Sequence, residues 1–233
     1  MARARRIPGQ TRERLLETAC RLFAEKGYRG TSVAQICSLA KANIAAVNYY
    51  FGGKEGIYQQ AWRRAHGQLL SQVPPDDGVG AARPAAERLR GRIRAGLRRA
   101  LLGDALEFCI MRNEMANPTG LLREVIDDAI RPIREATQQL LRELLGPGAG
   151  PLDVELCEVA VVAPLMHITH RSQATKHEGL APVFTEDMLD EMTDHFTAYA
   201  LAGIRTTRRR IERKAVSHER TRGTGRRKAV RQS

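Results

Sequence analysis

The chain has 233 residues, with 38 basic and 26 acidic side chains and a formal net charge of +12 when its six His are neutral. An apolar share of 42% and a charged share of 27% are ordinary for a globular protein of one large domain or two modest ones, with core enough to need no disulfide or metal staple. No run approaches the length of a membrane span, and no apolar stretch follows the basic N-terminus, so neither a transmembrane helix nor a secretory signal is expected.

Residues 1–10 read as a basic flexible arm with Arg3, Arg5 and Arg6. Leu15, Leu16, Ala19, Leu22 and Phe23 then follow the helical template, with Thr11 placed to cap the helix and Gly27 to stop it. Ser32-Val33-Ala34-Gln35 is a capping-box pattern that opens a short helix with Val33, Ile36 and Ala40 inward. Asn43 caps a third helix, 44–50, which turns Val47 and Tyr50 or Phe51 toward the core and breaks at Gly52-Gly53. A longer helix from about Lys54 carries Ile57, Tyr58, Trp62, Ala65 and Leu69.

Pro74-Pro75-Asp76-Asp77-Gly78 is a loop by composition. Leu89, Ile93, Leu97 and Leu101 mark the next helix, whose many arginines read as a solvated face. Helices follow over about 104–116, 119–145 and 152–173, the second with Pro132 as an expected kink and the third with an internal Pro164. The 119–145 helix places Leu122, Ile126, Ile130, Ile133, Leu140 and Leu144 on one side. A last helix covers about 185–204. No strand pattern of any length appears, so the fold class is all-α with about nine helices. Residues 205–233 hold 12 basic and 2 acidic side chains and few apolar ones, the composition of a disordered tail beyond the first turns. Such a tail is suited to holding DNA without regard to sequence. Cys20, Cys37, Cys109 and Cys157 show no zinc or redox spacing and read as reduced, buried thiols.

Three helices in the first 51 residues, the last two joined by a tight turn, describe a helix-turn-helix. A recognition helix must enter a groove about 12 Å wide, so its outer face must be small or polar. Here that face offers Ile44, Ala45 and Asn48. The apolar pair suits thymine methyls, and Asn suits a bidentate bond to adenine. Tyr49 and Tyr50 bring hydroxyls to phosphates, with Phe51 buried beside them. Thr31 and Ser32 at the second helix start, and Lys54 at the fourth, sit at N-termini that favour anions.

Phe23-Ala24-Glu25-Lys26-Gly27-Tyr28, Thr31-Ser32-Val33, Ile36 and Asn48-Tyr49-Tyr50-Phe51-Gly52-Gly53-Lys54-Glu55 resemble the DNA-binding domain of the TetR/AcrR family of bacterial repressors over residues 11–58. The resemblance implies a two-domain, all-helical homodimer that binds a palindromic operator. Its C-terminal helices would enclose a ligand pocket, the last two forming a four-helix bundle in the dimer. The helix-two to helix-three turn usually carries Gly in that family, and this chain has Lys41, which implies a strained left-handed residue whose ammonium reaches a phosphate. The DNA-facing set is therefore Thr31, Ser32, Lys41, Asn43, Ile44, Ala45, Asn48, Tyr49, Tyr50 and Lys54. Arg112-Asn113-Glu114-Met115-Ala116-Asn117-Pro118-Thr119 is similar to the CecR-like branch, whose members are linked to antibiotic and xenobiotic response.

The domains expected are the arm 1–10, a DNA-binding domain 11–55, a ligand-binding and dimerisation domain 56–204, and the basic tail 205–233. Phe108, Cys109, Met111, Arg112, Met115, Met166, His167 and His170 are the pocket candidates, since Met and aromatic side chains suit varied apolar ligands while Arg or His orients a polar group. No catalytic constellation, cofactor motif or metal site is expected. The expected function is a cytoplasmic, ligand-responsive repressor on double-stranded DNA, with no membrane partner. The rival is a DNA-binding protein regulated architecturally or by a protein partner.

Overall fold

The computed structural model describes residues 8–101, 106–177 and 184–229. Nine α-helices and one 3-10 turn account for its elements, and no strand occurs among the described residues. The helices are α1 (Pro8–Gly30), α2 (Val33–Ala40), α3 (Ile44–Phe51), α4 (Lys54–Gln72), α5 (Ala85–Leu101), α6 (Leu106–Ala116), α7 (Arg123–Leu145), α8 (Pro151–His177) and α9 (Leu189–Ala229). The 3-10 turn, Glu186–Met188, leads into α9. The described residues form two compact units: 8–74 with 106–132, and 75–101 with 133–177 and 184–229.

The first unit is built on α1. Leu15, Leu16, Ala19 and Phe23 recur at helical spacing and are buried against Ile36 and Ala40 of α2, Val47 and Phe51 of α3, and Ile57, Tyr58, Ala61 and Trp62 of α4. Ile110 of α6, and Leu122 and Val125 at the head of α7, complete this core. The expected stop at Gly27 is observed as a break in helical geometry, φ 68° and ψ −179°, a conformation that strains any side chain. Thr11 does not cap α1. The helix begins three residues earlier at Pro8, whose fixed φ suits a first turn and whose missing N–H costs nothing there. Residues 1–7 of the basic arm lie outside the described residues.

The second unit packs α5 against α8 and α9 around Leu89, Ile93, Leu97, Leu140, Leu141, Leu145, Val161 and Leu165. The α5 arginines are not a free solvated face. Arg88 pairs with Glu143, Arg90 with Asp194 at 2.8 Å, and Arg94 bridges Asp77 and Asp190 at 2.9 and 3.1 Å. Arg98 also reaches Asp77, at 2.9 Å, so two guanidiniums clamp the loop before α5. α7 continues through Pro132 and α8 through Pro164. Ile130, expected inward, is exposed.

The last helix does not end near residue 204. It extends to Ala229, through most of the segment whose composition suggested disorder. Ile204 and Ile211, seven residues apart, are both buried and carry the apolar stripe onward. Arg210 pairs with Asp153 at 2.9 Å, and Arg208 with Glu212 at 2.8 Å one turn on. Arg, Lys, Ala and Glu are all good helix formers, which sustains the extension.

Candidate nucleic-acid interface

Local hydrogen bonding fixes the two short helices before any tertiary contact is counted. The Ser32 hydroxyl accepts from the Gln35 N–H at 3.1 Å, while the Gln35 side chain accepts from the Ser32 N–H at 2.9 Å. This reciprocal capping box stabilises α2 by about 1 kcal/mol. Lys41 ends α2 in the left-handed region, φ 50° and ψ 49°. Ala42 donates back to Cys37 at 2.9 Å, closing the turn. Asn43 then caps α3, its side-chain oxygen accepting from the Ala45 N–H at 2.9 Å.

α3 is held from behind and open in front. Val47 and Phe51 are buried, and Arg12 of α1 lies over the Phe51 ring at 5.4 Å. After Gly52 (φ 73°) the chain turns sharply into α4. A Cβ at Gly56 would overlap the Phe51 carbonyl oxygen, so this approach requires glycine. The opposite face of α3 carries Ile44 and Tyr49, 53% and 82% exposed, with Ala45 and Asn48 also exposed. Tyr50 is half-buried and packs edge-on against Tyr49, ring centroids 4.9 Å apart. An eight-residue helix with small, amide and phenol side chains outward, on a rigid support, has the dimensions and chemistry of a major-groove reader.

The flanking residues divide. Ser32, Lys41 and Asn43 are exposed around the same turn. Thr31 is 1% exposed, and its hydroxyl donates to the carbonyl oxygens of Leu22 at 3.1 Å and Gly27 at 2.8 Å. It ties down the end of α1 and is removed from the phosphate-facing set. Lys54 is half-buried, its ammonium 4.1 Å from the centre of the Tyr28 ring, and burial pushes its pKa down.

Two family models match. Bacterial regulatory proteins of the tetR family match residues 15–61, and the C-terminal domain of the HTH-type transcriptional dual regulator CecR matches residues 85–204, just over half of the chain. The chain belongs to the TetR family of transcriptional regulators, with a C-terminal domain of the CecR type. It is 43% identical over 49 residues to the Bacillus subtilis HTH-type regulator YttP, covering 21% of this chain and 24% of YttP. It is 39% identical over 49 residues to the Pseudomonas putida HTH-type repressor NicS, covering 21% of this chain and 23% of NicS. This chain thus spans about a quarter of the length of those two relatives. Its fold resembles the crystal structure of a transcriptional regulator from Pseudomonas aeruginosa PAO1, with a TM-score of 0.68 at 21% identity over 89% of this chain and 97% of that one. No described helix of this TetR-family regulator is long and apolar enough to cross a membrane.

The motif similar to the CecR-like branch has a physical task within the first unit. The Asn113 amide donates to the carbonyl oxygens of Phe23 at 3.1 Å and Ala24 at 2.8 Å, satisfying the end of α1 beside the Gly27 break. Glu114 accepts from the Thr119 and Gly120 N–H groups, at 2.9 and 3.1 Å, and from the Thr119 hydroxyl. It also accepts from the Tyr58 hydroxyl, so α6 is pinned to α4.

The pocket candidates are not brought together within either unit. Phe108, Cys109, Met111, Arg112 and Met115 lie on α6 in the first unit, and Met166, His167 and His170 on α8 in the second. Arg112, Met115, Met166, His167 and His170 are exposed, so helical spacing alone did not mark an enclosed lining. Phe108, Cys109 and Met111 are half-buried. The Cys20 thiol is buried, donates to the Ala61 carbonyl at 3.3 Å, and is pushed up to about 12 by burial, the environment of an inert thiol. Sequence reasoning missed three side chains, Trp62, His66 and Glu107, that place unsatisfied polar atoms inside the first unit. The signal available was a His one turn after the Trp on an otherwise apolar face; Glu107 gave none.

Proposed function

We propose that this TetR-family protein is a cytoplasmic, homodimeric repressor that binds a palindromic operator through α3 and is released by a small molecule. The observation that carries the DNA reading is the exposed face of Ile44, Ala45, Asn48 and Tyr49 on a helix anchored by Val47 and Phe51. Ser32, Lys41, Asn43, Tyr50 and Lys54 are the proposed phosphate and positioning contacts. Residues 11–55 are the proposed DNA-binding domain, and 56–204 the ligand-binding and dimerisation domain. Repression is favoured by the likeness to NicS, a transcriptional repressor.

Dimerisation is supported by an exposed apolar row on α8: Leu152, Leu156, Val159 and Met166, spaced four, three and seven residues apart, with Tyr199 on α9. A row of this regularity is a helix-packing face. In the dimer the two α3 helices would stand about 34–36 Å apart, one turn of DNA. A ligand that prefers another arrangement shifts the population away from it. Within the first unit, the Asn113 and Glu114 bonds give α6 a direct mechanical link to α1 and α4.

The test is a gel shift on DNA upstream of the protein's own gene, with and without candidate effectors. A retarded band that resists non-specific competitor, and that an effector abolishes, supports the reading. A complex equally well competed by any DNA would overturn it.

A further inference from the structure

The core of the first unit contains polar atoms that its own fold does not satisfy. Trp62 and His66 stand one turn apart on α4 with stacked rings, centroids 4.9 Å apart and planes within 10°. Glu107 enters from α6 and is 6% exposed. Its Oε1 lies 3.5 Å from His66 Nδ1, too long for a good hydrogen bond. Among the described residues, Trp62 Nε1, both His66 ring nitrogens and Glu107 Oε2 are shut off from solvent without any hydrogen-bond partner. Each such atom lowers stability, and native interiors contain few. Other buried polar groups of the same unit are fully used, as Thr31 and Tyr58 are. A concentration of unmet donors and acceptors on three neighbouring side chains is the pattern of a recognition site, where stability is given up for binding.

We propose that Trp62, His66 and Glu107 form the polar end of the effector site, and that it recognises an organic amine with an apolar body. The chemistry selects this class. Among the described residues, His66 is the sole group with a nitrogen within ion-pair reach of Glu107, so the second carboxylate oxygen is left to accept from a ligand. An ammonium supplies several donors and a compensating charge, whereas a carboxylate ligand would meet like charge. The Trp62 indole adds an aromatic face of the kind that attracts cations. The apolar body would lie among the surrounding core side chains, with Leu106, Cys109 and Met111 partly buried against that core. The proposal rests on the ligand-responsive reading above.

Trp62 is the single tryptophan of the chain, so its emission reports this site alone. The experiment titrates the full-length protein with 2-phenylethylamine and octylamine, each beside its alcohol and carboxylate isostere. Trp62 emission and operator binding are followed together. The expected result is a saturable emission change with the amines, isosteres at least tenfold weaker, and loss of that preference in Glu107→Gln. Because Glu107 Oε2 has no partner in the fold, Glu107→Gln should melt at or above the parent temperature. A melt several degrees lower would mean that Glu107 is structural, and the proposal would fall. It falls equally if no amine perturbs Trp62 or if the isosteres match the amines. An effector that clears the operator without changing Trp62 emission sinks this site and leaves ligand control standing. Amine binding at Trp62 that leaves the operator complex intact supports the site and sinks ligand control.

Discussion

The hydroxyl of Tyr58 donates to the carboxylate of Glu114 across 2.9 Å, joining α4 to the end of α6. Tyr58 is fully buried, and burial together with this bond pushes its pKa well above that of an ordinary phenol. Glu114 simultaneously holds the 119–120 turn through two backbone N–H groups. Glu114→Ala removes all of these bonds and orphans a buried hydroxyl, so a loss of about 2–4 kcal/mol is expected. Tyr58→Phe removes the donor and its need together and should lose only about 1 kcal/mol. Urea unfolding of the two variants checks the order; equal losses would show that the turn bonds contribute nothing.

Lys41 occupies left-handed backbone at the turn into α3. Lys41→Gly relieves that conformation and should raise stability by about 1 kcal/mol. If the ammonium also meets a phosphate, the same variant lowers the salt slope of operator binding by about 0.9. Thermal melts and a salt titration separate the two effects. A destabilised Gly variant would contradict the strain argument.

Asn48 and Tyr49 are exposed and carry no part of the core. Asn48→Ala should leave the melting temperature unchanged while weakening operator binding by about 1–3 kcal/mol and relaxing preference at one base pair. Tyr49→Phe should weaken operator and non-specific DNA alike. Fluorescence anisotropy on operator and scrambled duplexes reads both; unaltered discrimination by the Asn48 variant would remove it from the base-reading face.

Leu156 stands in the middle of the exposed row on α8. Leu156→Glu places a charge where a second copy is proposed to pack, and a buried unpaired charge costs several kcal/mol, incurred twice in a two-fold interface. Light scattering should show a monomer at micromolar concentration, with operator binding lost and helix content kept. A persistent dimer would move the interface elsewhere.

Truncation after Ala215 keeps the buried Ile211 and the Arg210–Asp153 pair but removes six basic residues and one acidic residue. The salt slope of DNA binding should flatten, by about 0.9 for each phosphate no longer neutralised, while the preference for operator stays. An unchanged slope would show that this segment takes no part on DNA.

The parts legible in the sequence were those governed by short-range rules. The Ser32–Gln35 box, the Asn43 cap and the Gly27 break each depend on a few neighbouring residues, and each is observed, as is the left-handed Lys41 that the family resemblance implied. What stayed hidden depends on partners distant in the chain. Thr31 looked like a phosphate ligand until the carbonyls of Leu22 and Gly27 were seen to claim its hydroxyl. The α5 arginines looked solvated because Asp190 and Asp194, about a hundred residues away, could not be assigned to them. Asn113 and Glu114 were visible as a family motif, but not as the fastening of α6 to α1 and α4. Composition favoured disorder after residue 204 because it weighs charge and ignores Ile211, one apolar residue at the right register.

The first unit is assembled from two stretches of chain, with all of α5 lying between them in sequence. Synthesis therefore delivers α1 to α4 as an unfinished surface. Ile110, Leu122 and Val125, which close its core, and Asn113 and Glu114, which pin it, emerge only after α5 has been made. The core of the first unit stays incomplete while the nascent chain is that short, so a prematurely terminated chain is expected to be a poor operator binder. A fragment cut at Pro74 should be aggregation-prone for the same reason. Any chain long enough to complete the first unit therefore already contains α5 and α6.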